Sequence, residues 1–196
     1  MAKKKPLAAQ KKIRIGVLGV GRGRTFTRTT DLFGIELVAI CDSWEEKLLE
    51  VGKELGVATY TDFDKMLEHD LDAVVLANYF HEHAPFAIKA LKAGKHVMSE
   101  CSCCFTLAEG VELIRAVEKS KKIYMLAENY PFTLVNQELR RLYKAGKIGE
   151  MVYGEGEYVH PEDANNWAYL APGIKHWRNW IPSTYYCTSE IGRAHV

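Results

Sequence analysis

Short apolar segments alternate with amphipathic segments of helical period along most of the chain, and this alternation restricts the fold more than any other feature. The apolar segments include IRIGVLG, IELVAICD, DAVVLAN, KHVMSE and KIYMLAEN. Strands that are apolar throughout are buried on both faces, as in a parallel sheet covered by helices. Six such strands by about residue 128 predict a complete, doubly wound α/β domain.

Local signals set the predicted helix boundaries. A helix is expected after the glycine-rich stretch GVGRGRTF, and further helices are expected over SWEEKLLEVGKEL, TDFDKMLEH, APFAIKALKAG, TLAEGVELIRAVEKS and PFTLVNQELRRLYKAG. Small polar residues favour helix starts, and glycine favours helix ends. The boundary residues predicted in this way are Phe33 as an end, Ser43 and Thr61 as caps, Gly94 as an end, Pro131 as a start and Gly146 as an end.

The pattern changes after Gly149, where EMVYGEGEYVH alternates as a half-exposed strand does. We therefore predict that the doubly wound sheet, over residues 13–148, is followed by the start of a mixed α/β substrate domain at 149–188. Residues 1–12 read as a basic, disordered leader. The ending IGRAHV back-translates to ATC GGA AGA GCA CAC GTC, which matches a common sequencing-library adapter. Residues 189–196 are therefore interpreted as translated adapter and the chain as a C-terminally truncated fragment.

Charge and cysteine content exclude several classes of function. The net charge of +1 implies no general attraction to nucleic acid, and no apolar run reaches the length of a membrane span. The five cysteines are an odd number, and the leader lacks the apolar region of an export signal, which favours a reduced, cytoplasmic protein. The spacing C-x-C-C with no second cluster predicts no metal site.

Ligands of doubly wound sheets bind at the carboxyl ends of the strands. The residues predicted to lie along that rim are Gly19–Gly23, Asp42, Asn78, Glu100 and Glu128. Within the first group, Gly19 permits a tight turn, Gly21 lets the backbone approach a pyrophosphate, and Gly23 is the third glycine.

The segment GVGRGR follows a strand and opens a helix, and Asp42 ends the next strand. A carboxylate at that position accepts hydrogen bonds from the ribose hydroxyls and repels a 2′-phosphate. These features predict a Rossmann domain that binds NAD in preference to NADP. NADP stays the less favoured alternative because Arg22 and Arg24 lie nearby.

The order GVGRGR, VAICD and HEHAPFAIKALKAGKHVMSE resembles the Gfo/Idh/MocA oxidoreductases, and the resemblance covers residues 13–188. His83 and Glu100 match the family pattern that ends in Glu-Lys-Pro. Cys101 stands where the family keeps lysine, and Ser102 where it keeps proline. The resemblance implies that this lysine assists proton loss from the substrate hydroxyl. A cysteine cannot repeat that role because it is shorter and lacks the positive charge, so Cys101 is interpreted as a small apolar filler.

A branch of the family that also lacks the lysine consists of NAD-dependent glycosidases of the α-N-acetylgalactosaminidase type. The segment MLAEN resembles their M-L-E-N stretch, and Tyr158-Val159-His160 resembles their Tyr-x-His. The resemblance implies His160, then Tyr158, as proton-transfer residues and Glu128 as an orienting or acid–base carboxylate. It implies cofactor contacts by Asn129, Trp177 and Arg178.

Three functions remain open at this point. The leading expectation is NAD-dependent hydride transfer to or from a sugar, polyol or related carbinol. The first alternative is a glycoside hydrolase that oxidises, eliminates, adds water and reduces without net redox. The second is a nucleotide-binding protein without turnover. The resemblance also implies a homo-oligomer when the protein is full length, and a sugar or glycoside as the partner molecule, with no nucleic acid and no membrane.

Overall fold

The structure is a computed structural model that describes residues 11–28 and 34–155. The six strands of this part are β1 (Ile13–Leu18), β2 (Ile35–Cys41), β3 (Ala58–Tyr60), β4 (Ala73–Leu76), β5 (His96–Ser99) and β6 (Tyr124–Leu126). The six α-helices are α1 (Arg24–Thr27), α2 (Glu45–Leu55), α3 (Phe63–Leu67), α4 (His83–Lys92), α5 (Leu107–Ser120) and α6 (Leu134–Lys144). Strands and helices alternate along the chain, as the sequence predicts.

The strands form one parallel sheet in the order β3-β2-β1-β4-β5-β6. This is the strand order of a doubly wound Rossmann sheet, in which the direction of winding reverses between β1 and β4. The predicted fold class is therefore confirmed for the sheet.

Side chains of β4 show how both faces of the sheet are buried. Val74 and Leu76 belong to one apolar cluster, whereas Val75 belongs to another. Because successive strand residues point to opposite faces, the two clusters lie on opposite sides of the sheet. Residues of α3, α4 and α5 contribute to the first cluster, and residues of α2 contribute to the second. This two-sided core explains why the strand segments are apolar throughout.

Several predicted boundaries need correction. The side chain of Asp62, not Thr61, caps α3, where it accepts hydrogen bonds from the backbone N–H groups of Asp64 and Lys65. Ser43 does not cap α2, which begins after Trp44 and has no side-chain cap. Adjacent polar residues compete for a cap position, and the backbone path decides which one is placed.

The last helix also begins later than Pro131. Pro131 lies in a 3₁₀ turn over Tyr130–Phe132, and Thr133 caps α6 by accepting a hydrogen bond from the N–H of Asn136. Gly94, predicted to end α4, has φ +75, as an αL residue after a helix does. The helix after the glycine turn is described only over Arg24–Thr27, and the predicted end at Phe33 lies outside the described residues.

The described residues fall into two compact units, the first ending at Ala127 and the second beginning at Glu128. The second unit contains α6, whose apolar side chains include exposed Leu134, Val135 and Leu139. Residues 151–155 are not in a strand, which corrects the start of the predicted strand over 151–160. Its remainder lies outside the described residues, so the substrate domain stays a prediction. Among the described helices, none is long and apolar enough to cross a membrane.

Candidate functional site

The carboxyl ends of β1, β2, β4 and β5 carry the predicted site residues of the first unit. Backbone hydrogen bonds tie neighbouring strand ends together: Gly19 N–H donates to the Cys41 carbonyl at 2.8 Å, and Glu100 N–H donates to the Leu76 carbonyl at 2.8 Å. Because the strands are parallel, these ends meet at one edge of the sheet. The structure therefore brings Gly19–Gly23, Asp42, Asn78 and Glu100 to one rim.

The three glycines of the turn after β1 have different roles. Gly19 has φ +100, and a Cβ there would strike the Ala77 carbonyl. A Cβ on Gly23 would strike the Gly19 carbonyl oxygen and lie 2.7 Å from Val17 Cγ1. A Cβ on Gly21, in contrast, would meet no atom within 4 Å. Gly19 and Gly23 are thus needed to close the turn, whereas Gly21 leaves open space beside the backbone for a ligand.

Asp42 is fixed at the end of β2 by backbone donors on both carboxylate oxygens. Its Oδ2 accepts from Val20 N–H at 2.7 Å, and its Oδ1 accepts from Trp44 N–H at 2.9 Å. Each oxygen has a second lone pair, so the carboxylate can still accept from two neighbouring hydroxyls. The contact with Val20 joins the predicted ribose-binding position to the glycine turn, which the sequence spacing alone does not show.

An ion pair joins the glycine turn to the end of β5. Arg22 Nε donates to Glu100 Oε1 at 2.6 Å, and Glu100 Oε2 accepts from Cys101 N–H at 3.2 Å. The Glu100 side chain is only 13% exposed, whereas that of Arg22 is 62% exposed. Since β4 lies between β1 and β5, this pair crosses the rim over the end of β4.

Asn78 and His83 lie beyond the end of β4. Asn78 Nδ2 contacts Glu82 Oε2 at 3.4 Å, and Asn78 Oδ1 is a buried acceptor with no hydrogen-bond partner in the described part of the chain. His83 Nδ1 lies 2.9 Å from the Ser102 carbonyl. A carbonyl only accepts, so Nδ1 carries the proton and Nε2 is an acceptor. Burial lowers the pKa of His83, although nearby backbone groups oppose that effect, so the ring is neutral at pH 7.

Cys101 is buried, with 9% of its surface exposed. It is one of four free cysteines in the part of the chain that the structure describes, with Cys41, Cys103 and Cys104. Burial, with the negative charges of Asp42 and Asp62, raises the pKa of Cys41 to about 12. The small buried side chain of Cys101 agrees with its interpretation as a filler. Within the described residues, no group of three or more His, Cys, Asp or Glu side chains could hold a metal ion.

The remaining predicted residues belong to the second unit or lie outside the described part. Glu128 and Asn129 begin the second unit, where Glu128 Oε1 accepts from Tyr130 N–H at 3.2 Å. Tyr158, His160, Trp177 and Arg178 lie outside the described residues, so their roles stay predictions. Sequence reasoning missed Trp44, whose N–H orients Asp42 and whose side chain is 62% exposed at the rim. Its position two residues after the rim aspartate was the available signal.

The strand order, the glycine turn and the fixed Asp42 define a dinucleotide-binding domain of the Rossmann class. Comparison with known families is more specific: residues 13–128 match the Gfo/Idh/MocA oxidoreductases, a family described by its NAD-binding Rossmann fold. The chain belongs to this family, and the predicted resemblance is confirmed.

The individual relatives of this chain are named for different activities. Glycosyl hydrolase family 109 protein 1 from Bacteroides fragilis is 31% identical over an alignment of 181 residues, which covers 86% of this chain and 38% of the relative. Scyllo-inositol dehydrogenase from Lactobacillus casei, solved with bound NAD(H) and scyllo-inositol, is 29% identical with a TM-score of 0.67, over 71% of this chain and 43% of that one. The WlbA dehydrogenase from Bordetella pertussis, solved with NADH and UDP-GlcNAcA, is 26% identical with a TM-score of 0.66, over 70% and 43%.

The chain thus spans less than half the length of these relatives. The residues present fit the cofactor of the family. Gly21 leaves space for a pyrophosphate, Asp42 presents acceptors for ribose hydroxyls, and Asn78 Oδ1 is an acceptor that no described residue satisfies. The cofactor of this domain is NAD.

Proposed function

We propose that the protein carrying this chain transfers a hydride between NAD and a hydroxyl-bearing carbon of a sugar, polyol or related carbinol. The observation that carries the proposal is Asp42, fixed by backbone donors at the end of β2 within a domain of this oxidoreductase family. Two similar structures were solved with a polyol and with a nucleotide sugar bound, which supports the substrate class.

The residues of the rim would bind and orient the cofactor. The Gly19–Gly23 turn would hold the pyrophosphate through backbone N–H groups, and Asp42 would hold the adenosine ribose. The Asp42 charge also disfavours a 2′-phosphate, so NAD is preferred to NADP. Asn78 and Glu100 would bind the nicotinamide half. When bound, NAD supplies the carbon that accepts or returns the hydride.

Proton transfer would come from residues after the first unit. Cys101 is buried and carries no positive charge, so it cannot assist a substrate hydroxyl as lysine does. We assign His160 as the first candidate for proton transfer, Tyr158 as the second, and Glu128 as an orienting or acid–base carboxylate. Asn129, Trp177 and Arg178 are assigned to cofactor contacts. These assignments rest on the motifs of the sequence.

A second candidate function is favoured by Cys101 together with the curated relatives. This chain lacks the lysine, and it is 31% identical to a protein named glycosyl hydrolase family 109 protein 1. The activity would be cleavage of a glycoside by internal oxidation, elimination, addition of water and reduction, without net redox. A nucleotide-binding protein without turnover is a third candidate, because the missing lysine removes a group that assists the reaction.

One experiment separates the three candidates. The full-length gene product is incubated with NAD and a panel of free sugars, polyols and nitrophenyl glycosides, and NADH absorbance and nitrophenol release are followed together. NADH formed from a free sugar or polyol supports the oxidoreductase. Nitrophenol released over many turnovers without net NADH supports the glycosidase. Binding of NAD with neither product supports the non-catalytic protein and overturns both enzymatic proposals. His160→Gln serves as the matched variant, and it should abolish either activity while it leaves NAD binding intact.

The location and assembly of the protein are also proposals. We place it in the cytoplasm because the four cysteines of the described residues are free thiols. A homo-oligomer is the assembly that the family resemblance implies. Sedimentation of the full-length protein tests that state.

A further inference from the structure

Two adjacent thiols meet just after the end of β5. Cys103 Sγ and Cys104 Sγ lie 3.6 Å apart, and both side chains are only partly buried. The family resemblance assigns no role to either residue. The proposed hydride transfer does not use them.

Neither a zinc site nor a disulfide is expected for this pair of thiols. Zinc needs four ligands, and no group of three or more His, Cys, Asp or Glu side chains able to hold a metal occurs in the described part of the chain. A disulfide between neighbours is also disfavoured. Consecutive Cα atoms are about 3.8 Å apart, whereas disulfides usually join Cα atoms that are about 4.4–6.8 Å apart. An atom inserted between the two sulfurs would avoid that constraint.

We propose that Cys103 and Cys104 form a chelating site for a thiophilic trivalent arsenical that carries one organic group. Such an arsenic atom needs only two ligands from the protein, because its own substituent occupies the third position. Soft sulfur ligands favour soft, thiophilic partners over hard cations. The site supplies two sulfurs that are already in contact, and such an arsenical requires two ligands from the protein.

Binding would be a condensation in which no electrons are transferred. With phenylarsine oxide, two As–S bonds form, the arsenic–oxygen bond breaks, and the two thiol protons leave with that oxygen as water. Burial, the hydrogen bond with Cys103 and the charge of Glu109 raise the pKa of Cys104 to about 11, so this thiol holds its proton at pH 7.

The two cysteine side chains are partly exposed, and neighbouring residues hold their sulfurs in place. Cys103 packs against the larger apolar cluster, which fixes one sulfur. Gly110 of α5 faces the other: a Cβ at that position would lie 3.2 Å from Cys104 Sγ. The absence of a side chain at Gly110 therefore lets Cys104 Sγ pack closely against the backbone of α5. Cys101, in contrast, is buried, with 9% of its surface exposed.

The test uses the full chain and phenylarsine oxide as the probe. After binding under native conditions and removal of excess reagent, the chain is denatured in N-ethylmaleimide, which blocks every thiol that arsenic does not hold. A dithiol, 2,3-dimercaptopropanol, then releases the arsenic, and iodoacetamide labels the freed thiols. Mass spectrometry of the tryptic peptide 96–115 should find iodoacetamide on Cys103 and Cys104 and maleimide on Cys101. Iodoacetamide on Cys101, or no arsenic bound, would overturn the proposal.

Variants provide a second, independent measurement. Cys103→Ser or Cys104→Ser should weaken phenylarsine oxide binding by about 100-fold or more, because the second sulfur then no longer acts at a high effective concentration. The matched control Cys101→Ser should bind as the unsubstituted chain does. Equal binding by Cys104→Ser and Cys101→Ser would contradict the proposal. If a variant does not fold, the labelling pattern of the unsubstituted chain still decides.

Discussion

Substituting alanine for Gly23 and for Gly21 should separate the two roles of the glycine turn. Gly23 has φ −56 and ψ −24, a conformation that alanine adopts without strain. Any cost of Gly23→Ala therefore comes from the added methyl group. That group would strike the Gly19 carbonyl oxygen and lie 2.7 Å from Val17 Cγ1.

Neither neighbour of Gly23 is free to move away. Val17 lies in β1, between β2 and β4, and Gly19 is packed against Ala77 at φ +100. Overpacking of this kind costs about 1–3 kcal/mol. For a chain of this size, that corresponds to a melting temperature lowered by about 2–12 °C.

Gly21→Ala is the matched control. Its methyl group meets no atom within 4 Å, so the free energy of unfolding should stay within about 0.5 kcal/mol of the original. The same methyl group occupies the space through which a pyrophosphate approaches, so NAD affinity should fall. Thermal and urea unfolding followed by circular dichroism, with NAD titration by fluorescence, measure both effects. Equal stability of the Gly23→Ala and unsubstituted chains would refute the packing argument, and unchanged NAD affinity in Gly21→Ala would refute the assignment of the space.

Three further predictions concern the rim, the buried His83 and a helix cap. Asp42→Asn should weaken NAD binding by about 10- to 150-fold, which is the effect of losing a hydrogen bond to a charged group. The preference for NAD over NADP should also become smaller. A loss of NAD affinity below threefold in a binding titration would contradict the role of the charge. His83 has a lowered folded pKa, so the unfolded chain binds more protons below about pH 6.5 and stability should fall as the pH drops through that value. His83→Gln should flatten this pH dependence in urea unfolding, and an unchanged slope would exclude His83 as its source. Thr106 and Glu109 form a reciprocal pair of hydrogen bonds at the start of α5, and Thr106→Ala removes one of them. The free energy of unfolding should fall by about 1 kcal/mol, whereas Thr61→Ala, which removes no helix cap, should leave it unchanged. Equal effects of the two substitutions would contradict the cap assignments.

The sequence predicted the sheet and its rim because each depends on local patterns. Apolar strands with intervening amphipathic helices allow few topologies, and right-handed crossovers reduce these further. Once the strands are parallel, Asp42, Asn78 and Glu100 must lie at the same edge as the glycine turn. The spacing from Gly19 to Asp42 then predicts the ribose position without knowledge of any side-chain contact.

Side-chain contacts between distant segments could not be predicted in this way. The pair Arg22–Glu100 joins residues 78 positions apart, and it depends on the strand order and on the path of the turn. The choice of Asp62 over Thr61 as a cap depends on where the backbone enters the helix, which two adjacent polar residues do not reveal. The contact between the Cys103 and Cys104 sulfurs likewise depends on side-chain rotamers, which the sequence CSCC does not specify.

The chemistry of the site follows from how charge is distributed at the end of β5. Glu100 already has a cationic partner in Arg22, and the next residue, Cys101, is buried and uncharged. The position where the family resemblance predicts a lysine therefore has no cationic side chain that could assist proton loss from a substrate hydroxyl. Under the proposed function, the proton chemistry is therefore assigned to residues that follow Ala127 in the sequence. For this reason, we propose that Glu128, Tyr158 and His160 distinguish net oxidation from glycoside cleavage, and that the rim binds the NAD that both reactions share.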